Sequence, residues 1–356
     1  MSDLELYAGP TALARIQQEG VKPEMFKAIA GASGGPKWFV LYGLDRYLFG
    51  DFFAKVEHSI ATVGSSAGAW RLACMGLDDP LAGIDRLAEY YSHQEYSNDP
   101  DVDEISAEAN KLLDIVLGPE GVEQIASNRA IDMHIIVARS RGLVARDSPL
   151  PLMAGLGLCA LSNIISRKLI GLSFQRYVFH TGKLLASTEQ WPGLKTHSVS
   201  LNIDNIRQAL LASGSIPMVM RGIVDIEHAQ KGVYRDGGLT DYHLDLPLIQ
   251  GRDLVLYPHF YSRITPGWFD KFVPWRRPNI EHFDNVLMLV PSKSFVDSLP
   301  YGKIPDRKDF ENLGFEERLA YWQEVLERSA ALAQDFSLMV ESGRGIEAIR
   351  PISDIA

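Results

Sequence analysis

Ala61-Thr-Val-Gly-Ser-Ser-Ala-Gly68 is the stretch on which the reading of this chain turns. An apolar extended run, Ser59–Val63, enters a Gly64-x-Ser66-x-Gly68 turn, and a helical pattern follows over Ala67–Met75. Such a sharp strand-to-helix turn lifts a serine hydroxyl out of a sheet, and the flanking glycines let neighbouring backbone pass closely. The helix beyond offers its first N–H groups to a developing oxyanion. Alone, the pattern arises by chance in roughly one chain in ten of this length, and its bland reading is a glycine-rich turn whose serine caps a helix.

Working outward, Phe26–Ala30 reads as a short buried strand ending in the glycine-rich turn Gly31–Gly35. Pro36 suits the first turn of a helix carrying Phe39, Val40, Tyr42 and Leu44. Nearer the start, Thr11 is positioned to cap a helix to about Gln18, with Gly20 as its stop. Strand, helix, strand, helix predicts a central, mostly parallel sheet with helices on both faces. Helical spacing over Asp79–His93 and Ser106–Leu117 predicts inserted helices after residue 76, joined by an acidic loop with Asp99, Asp101, Asp103 and Glu104. That loop is no EF-hand, because Glu104 and Asn110 occupy the positions that need Gly and Glu. Further strands are predicted at Met133–Val137, Tyr177–His180, Thr196–Leu201, Leu254–Tyr257 and Val286–Val290. One or two amphipathic helices run from about Phe315 to Val340, within a helical extension spanning about 308–343. With no repeat and no Gly/Ser/Pro-rich linker, residues 1–356 read as one α/β domain.

Two further segments carry chemistry. Gly31-Ala-Ser-Gly-Gly-Pro-Lys-Trp38 can aim several N–H groups at one point. It is not a Walker loop, since Lys37 precedes Trp38, and it is not a dinucleotide-binding G-x-G-x-x-G. Tyr234-Arg-Asp-Gly-Gly238 sets an aspartate in a turn, a pattern that by itself is more often structural than catalytic.

In this order the three elements resemble the patatin-like phospholipase family, with its glycine-rich oxyanion loop, GxSxG serine and Asp-Gly-Gly/Ala aspartate. Ala212-Ser-Gly-Ser-Ile-Pro217 is similar to a further block that precedes the aspartate in that family. The resemblance covers about residues 25 to 245, and nothing beyond is recognisable. It implies a three-layer α/β sandwich and two-step hydrolysis of carboxylic esters in a lipid or phospholipid. Ser66 would be nucleophile and Asp236 sole base, with Gly34, Gly35 and Ala67 donating to the oxyanion. Gly31, Lys37, Gly64, Gly68, Gly237 and Gly238 would be supporting motif positions; no metal or other cofactor is implied. This chain departs from the pattern at Ser33 and Trp38, where glycines are expected, and Pro36 removes one backbone donor. Two other classes stay open. One is a soluble esterase with a Ser-His-Asp triad, drawing on His243, His259 or His282 with Asp236 or Asp241. The other is a catalytically silent lipid-binding protein.

Composition bounds the rest. The net charge of −10 argues against broad nucleic-acid binding. Cys74 and Cys159 belong to no CxxC or Cys/His cluster, and the opening Met-Ser-Asp-Leu-Glu has no cationic or apolar signal region. The expectation is a cytoplasmic protein with reduced thiols, with peripheral contact at a membrane surface as a further possibility. Ser148–Ser166 is uncharged and rich in Leu, Met and Ile, readable as a buried core helix or as an interfacial segment. Between Met133 and Ala186, Arg139, Arg141, Arg146, Arg167, Lys168, Arg176 and Lys183 face a single acid, Asp147. Gly267–Arg277 interleaves aromatics with cations, as membrane interfaces do.

Overall fold

The computed structural model describes residues 2–355. Its strands are β1 (Leu4–Ala8), β2 (Phe26–Gly31), β3 (Ile60–Ser65), β4 (Ile131–Ser140), β5 (Phe174–His180), β6 (Thr196–Ser200), β7 (Ile223–Val224), β8 (Val233–Asp236), β9 (Leu254–Pro258), β10 (Val286–Pro291) and β11 (Arg350–Pro351). They form one sheet in the order β11-β1-β10-β9-β2-β3-β4-β5-β6, with β8 also on β4 and β7 on β8. The central run β10-β9-β2-β3-β4 is parallel throughout. Antiparallel pairs flank it, β1 on β10 and both β5 and β8 on β4. Strands β3, β9 and β10 are buried along their whole length, as a parallel sheet covered by helices on both faces requires.

β4 organises the site end of the sheet. Along one edge, its first half pairs with β3, Ser65 lying opposite Ile136. Its second half pairs with β8, Asp236 lying opposite Val137. β3 and β8 therefore arrive from opposite directions and end at neighbouring positions on the same strand.

The helix Ala67–Ala73 leaves β3 and packs on it, and Ile206–Gly214 lies on β4 and β8. Three helices, Pro80–Ser92, Val102–Leu117 and Gly121–Ser127, fill the connection from β3 to β4. The C-terminal pair Phe315–Arg328 and Ala330–Ser342 closes over residues 35–47. One apolar core reaches from Leu4 to Ile352, and a smaller one gathers Val144, Leu152, Cys159, Phe174, Leu239 and Phe269 beneath the helix Pro149–Ile165. Cys74 and Cys159 are buried and free. No helix among the described residues is long and apolar enough to cross a membrane.

Several expectations need correction. Thr11 is not a cap: Pro10 opens that helix behind Gly9, and the Thr11 hydroxyl donates to Asp284 at 2.6 Å. Asp103 and Glu104 belong to a helix rather than a loop, because Asp101 caps Val102–Leu117 by accepting from both their N–H groups. The segment after Pro36 starts as a 3-10 helix, Gly35–Leu41, before turning α-helical over Tyr42–Tyr47. Ser148–Ser166 is not a buried core helix, since Leu150 and Ile165 are 79% and 81% exposed. Three of the seven basic residues between Met133 and Ala186 are spent internally, and Arg141, Arg146, Lys168 and Lys183 remain exposed. Arg176 pairs with buried Asp241, Arg167 turns in toward Asp241 and Asp270, and Arg139 caps the Lys231 carbonyl.

Near the ends of β2 and β9, buried Arg71 pairs with buried Asp45 and donates to the Ala30 and Pro258 carbonyls at 3.3 Å. It thereby ties the helix after β3 to the ends of β2 and β9. Arg71→Met is expected to cost ~3–5 kcal/mol, because it strands a buried carboxylate. A denaturation midpoint within error of wild type would show that the pair carries no such load.

Candidate active site

Ser66 sits at the tip of the turn with φ 53° and ψ −131°, a region that costs a non-glycine residue about 1–3 kcal/mol. Packing enforces it. A Cβ on Gly64 would lie 2.7 Å from the Ala69 nitrogen, and one on Gly68 would lie 2.0 Å from the Gly31 carbonyl oxygen. The Ser66 N–H donates to Ser213 Oγ at 2.9 Å, and Ser213 donates in turn to the Ile136 carbonyl at 2.7 Å. Its own carbonyl accepts from the Ala69 and Trp70 N–H groups, starting the helix.

The Ser66 hydroxyl donates to Asp236 Oδ2 at 2.7 Å, and both residues are buried. Asp236 Oδ1 accepts from the Gly238 N–H at 2.7 Å, and the Asp236 N–H donates to the Ser215 carbonyl at 2.9 Å. Gly237 lies so close to the Ile136 carbonyl that a Cβ would come within 2.1 Å. Burial raises the Asp236 pKa above the usual carboxylate value, opposed by the Ser66 hydrogen bond, Arg307, the Gly238 N–H and Lys271. A carboxylate so placed can accept the serine proton, and raising its basicity makes that transfer easier.

Gly31 pairs with Gly64 across β2 and β3, so the glycine-rich loop emerges beside Ser66. Ser33, standing where a glycine is expected, is buried and shares a 2.7 Å hydrogen bond with Ser65 Oγ. Gly35 adopts φ 57°. The N–H groups of Gly34, Gly35 and Ala67 have no acceptor among the described residues, and all three residues line the cavities that contain Ser66. The Ser66 N–H, by contrast, is already committed to Ser213.

No histidine contacts Ser66. His243 accepts from the Thr265 N–H through Nδ1 at 2.9 Å, His259 Nδ1 engages the Tyr261 backbone, and His282 pairs with Asp245 at 2.7 Å. Burial lowers His259 to about 3 and drives His243 well down, which keeps both neutral. Asp241, the other candidate triad acid, is held by Arg176 through two 2.7 Å bonds.

Ser66 opens onto two cavities. One, of about 690 Å³, has walls that include Trp70, Ile105, Leu112, Ile216, Met220 and Phe310. The other, of about 460 Å³, takes in Gly34, Lys37, Asp236, Trp268, Lys271 and Arg307. Arg307 was not anticipated from sequence; Lys271 lies within Gly267–Arg277, read there as an interface segment and not as a site residue, and stands on the 3-10 helix Trp268–Phe272. Ser213 lies within the Ala212–Pro217 segment, but the hydrogen bond it makes could be identified only from the fold. No family model matches the chain, and no curated protein matches it.

Because the folded Asp236 pKa is raised, the buried carboxylate favours folding at low pH, and that contribution is lost as pH rises above the ordinary carboxylate range near 4. Asp236→Asn is thus expected to unfold at a higher temperature than wild type at pH 7, with the gap closing toward pH 4. Thermal melts across that range test it; a variant less stable than wild type at pH 7 would contradict the desolvation argument.

Proposed function

We propose that this protein is a lipid acyl hydrolase of the patatin-like kind, built on a three-layer α/β sandwich and working through a Ser66–Asp236 dyad. The observation that carries the reading is the 2.7 Å hydrogen bond from Ser66 to a buried aspartate, with every candidate histidine engaged elsewhere. Asp236 takes the Ser66 proton as Oγ attacks the ester carbonyl. Negative charge on the carbonyl oxygen develops toward the Gly34, Gly35 and Ala67 N–H groups, which need no reorganisation to receive it. Collapse expels the alcohol, which recovers the proton from Asp236. Water activated by the same carboxylate then releases the acyl group.

A lipid surface is the partner that suits the rim of the site. The helix Pro149–Ile165 and the turn Trp268–Phe272 are joined by Asn163, which donates to Asp270 at 2.8 Å and accepts from Arg276 at 2.9 Å. Leu150, Met153, Leu158, Leu161, Ile164 and Ile165 are exposed on this unit, as are Phe272 and Trp275. Leu156 and Trp268 of the same unit line the smaller cavity. Exposed Arg141, Arg146, Lys168 and Arg277 flank these two segments in the chain, matching anionic headgroups although the whole protein is negative. Apolar side chains beside a cavity mouth let a lipid pass from bilayer to site without crossing water.

Labelling with a fluorophosphonate tests the dyad. Wild type is expected to label at Ser66, while Ser66→Ala and Asp236→Asn lose labelling and at least ~10³-fold of ester turnover. Folded wild type that fails to label would return the protein to a binding role, and labelling that survives Asp236→Asn would remove the aspartate from the mechanism. For the surface, Leu161→Asp with Ile165→Asp is expected to weaken flotation with anionic vesicles at least about tenfold. Unchanged flotation would take this face out of membrane contact.

A further inference from the structure

Three buried arginines of this protein are matched by carboxylates: Arg71 by Asp45, Arg176 by Asp241, and Arg235 by Asp147. The smaller cavity gathers cations at its solvent-reached wall without such partners. Lys37, Lys271, Arg307 and Lys308 line it, and none is within ion-pair distance of a carboxylate among the described residues. The cavity's two acids are Asp236, committed to Ser66, and Asp306.

The cations are held in place by other means. Lys271 Nζ lies 3.8 Å from the centroid of the Tyr242 ring and 5.8 Å from that of Trp268. The Arg307 guanidinium rests against the glycine-rich loop, its Nε 3.0 Å from where a Gly35 Cβ would stand. Desolvation lowers the pKa of both Lys37 and Lys271, and for Lys271 the Arg307 and Lys37 charges add to it. Four cations facing two acids, with like charges crowded together, form a site that lacks its counter-charge.

We infer that Lys37, Lys271 and Arg307 form a subsite for a phosphomonoester carried on the leaving alcohol, so that lipids with a bare terminal phosphate are preferred to those capped by choline. The inference rests on the hydrolase reading above for the identity of the leaving group. Charge decides the form of the phosphate. A monoester carries about −1.5 to −2 at neutral pH and presents three acceptor oxygens, enough to engage several cations at once. A phosphocholine is neutral overall, and its ammonium would be forced among cations. The two cavities then divide the substrate, with the acyl chain along the apolar wall of the larger one, formed by Trp70, Ile105, Leu112 and Met220, the phosphate in the smaller one, and Ser66 and Arg307 on their shared wall.

Calorimetry on Ser66→Ala protein tests this without turnover. sn-Glycerol 3-phosphate is expected to bind about tenfold or more tightly than either glycerophosphocholine or inorganic phosphate. Lys271→Gln and Arg307→Gln, whose side chains reach solvent, are each expected to weaken that binding about tenfold. In wild type, turnover of phosphatidate over phosphatidylcholine should show the same preference. Equal binding of glycerophosphocholine would overturn the monoester assignment, and equal binding of inorganic phosphate would assign the cations to a free anion. Unchanged binding in both variants, with kcat reduced on neutral esters, would make the cations part of oxyanion stabilisation instead. Fluorophosphonate labelling separates the two levels: a labelled enzyme indifferent to glycerol 3-phosphate sinks the subsite alone, and binding without labelling sinks the hydrolase reading alone.

Discussion

The register on β4 is the constraint from which the site follows. Ser65 opposes Ile136 and Asp236 opposes Val137, so two chain segments separated by 170 residues end one step apart along a single strand edge. Hydrogen bonds of a ladder cannot be shifted by one residue without turning every side chain to the other face. The separation of serine and aspartate is therefore set by the pitch of a strand rather than by the conformation of a loop. Ser213 strengthens the arrangement, since its hydroxyl joins the Ser66 N–H to the Ile136 carbonyl at that same place.

Around this fixed pair the protein concentrates features that are unfavourable in themselves. Ser66 adopts a left-handed conformation, Asp236 is desolvated, and several cations share a cavity without partners. Each depends on a surrounding frame that cannot relax. The close approach of Gly31 and Gly68 locks the turn, and Arg71 binds the helix behind it to two neighbouring strands. Strain held in this way is a common mark of functional sites, because a frame that over-determines geometry also pre-organises it.

Much of this was legible in the amino-acid sequence, for identifiable reasons. β9 and β10 are runs of consecutive apolar residues and β2 and β3 are mostly apolar, so in this parallel sheet their signal lies within a few neighbouring positions. The serine turn and the Asp-Gly-Gly turn were likewise visible as local patterns. β8 was not: it is four residues long, includes buried Arg235, and exists because β4 offers it an edge. For Pro149–Ile165 sequence left burial and an interfacial position both open, since an apolar helix looks the same whether protein covers it or not. Arg307 enters the site from a turn and Lys271 from the short 3-10 helix Trp268–Phe272, whose paths no periodicity encodes. What sequence conveys is a residue's immediate company; what it withheld here was contact across long loops.

The placement of β9 has a consequence for how the chain comes together. It lies between β2 and β10 at the middle of the sheet, yet begins at Leu254, more than two hundred residues after β2. Until that segment is available, β2 keeps one edge open, a row of unpaired amides and carbonyls beside an apolar strand. Such an edge is a template for pairing with other chains. Pairing of β9 is thus the long-range contact that fills the middle of the sheet, and it also shields the strand leading to the glycine-rich loop from self-association.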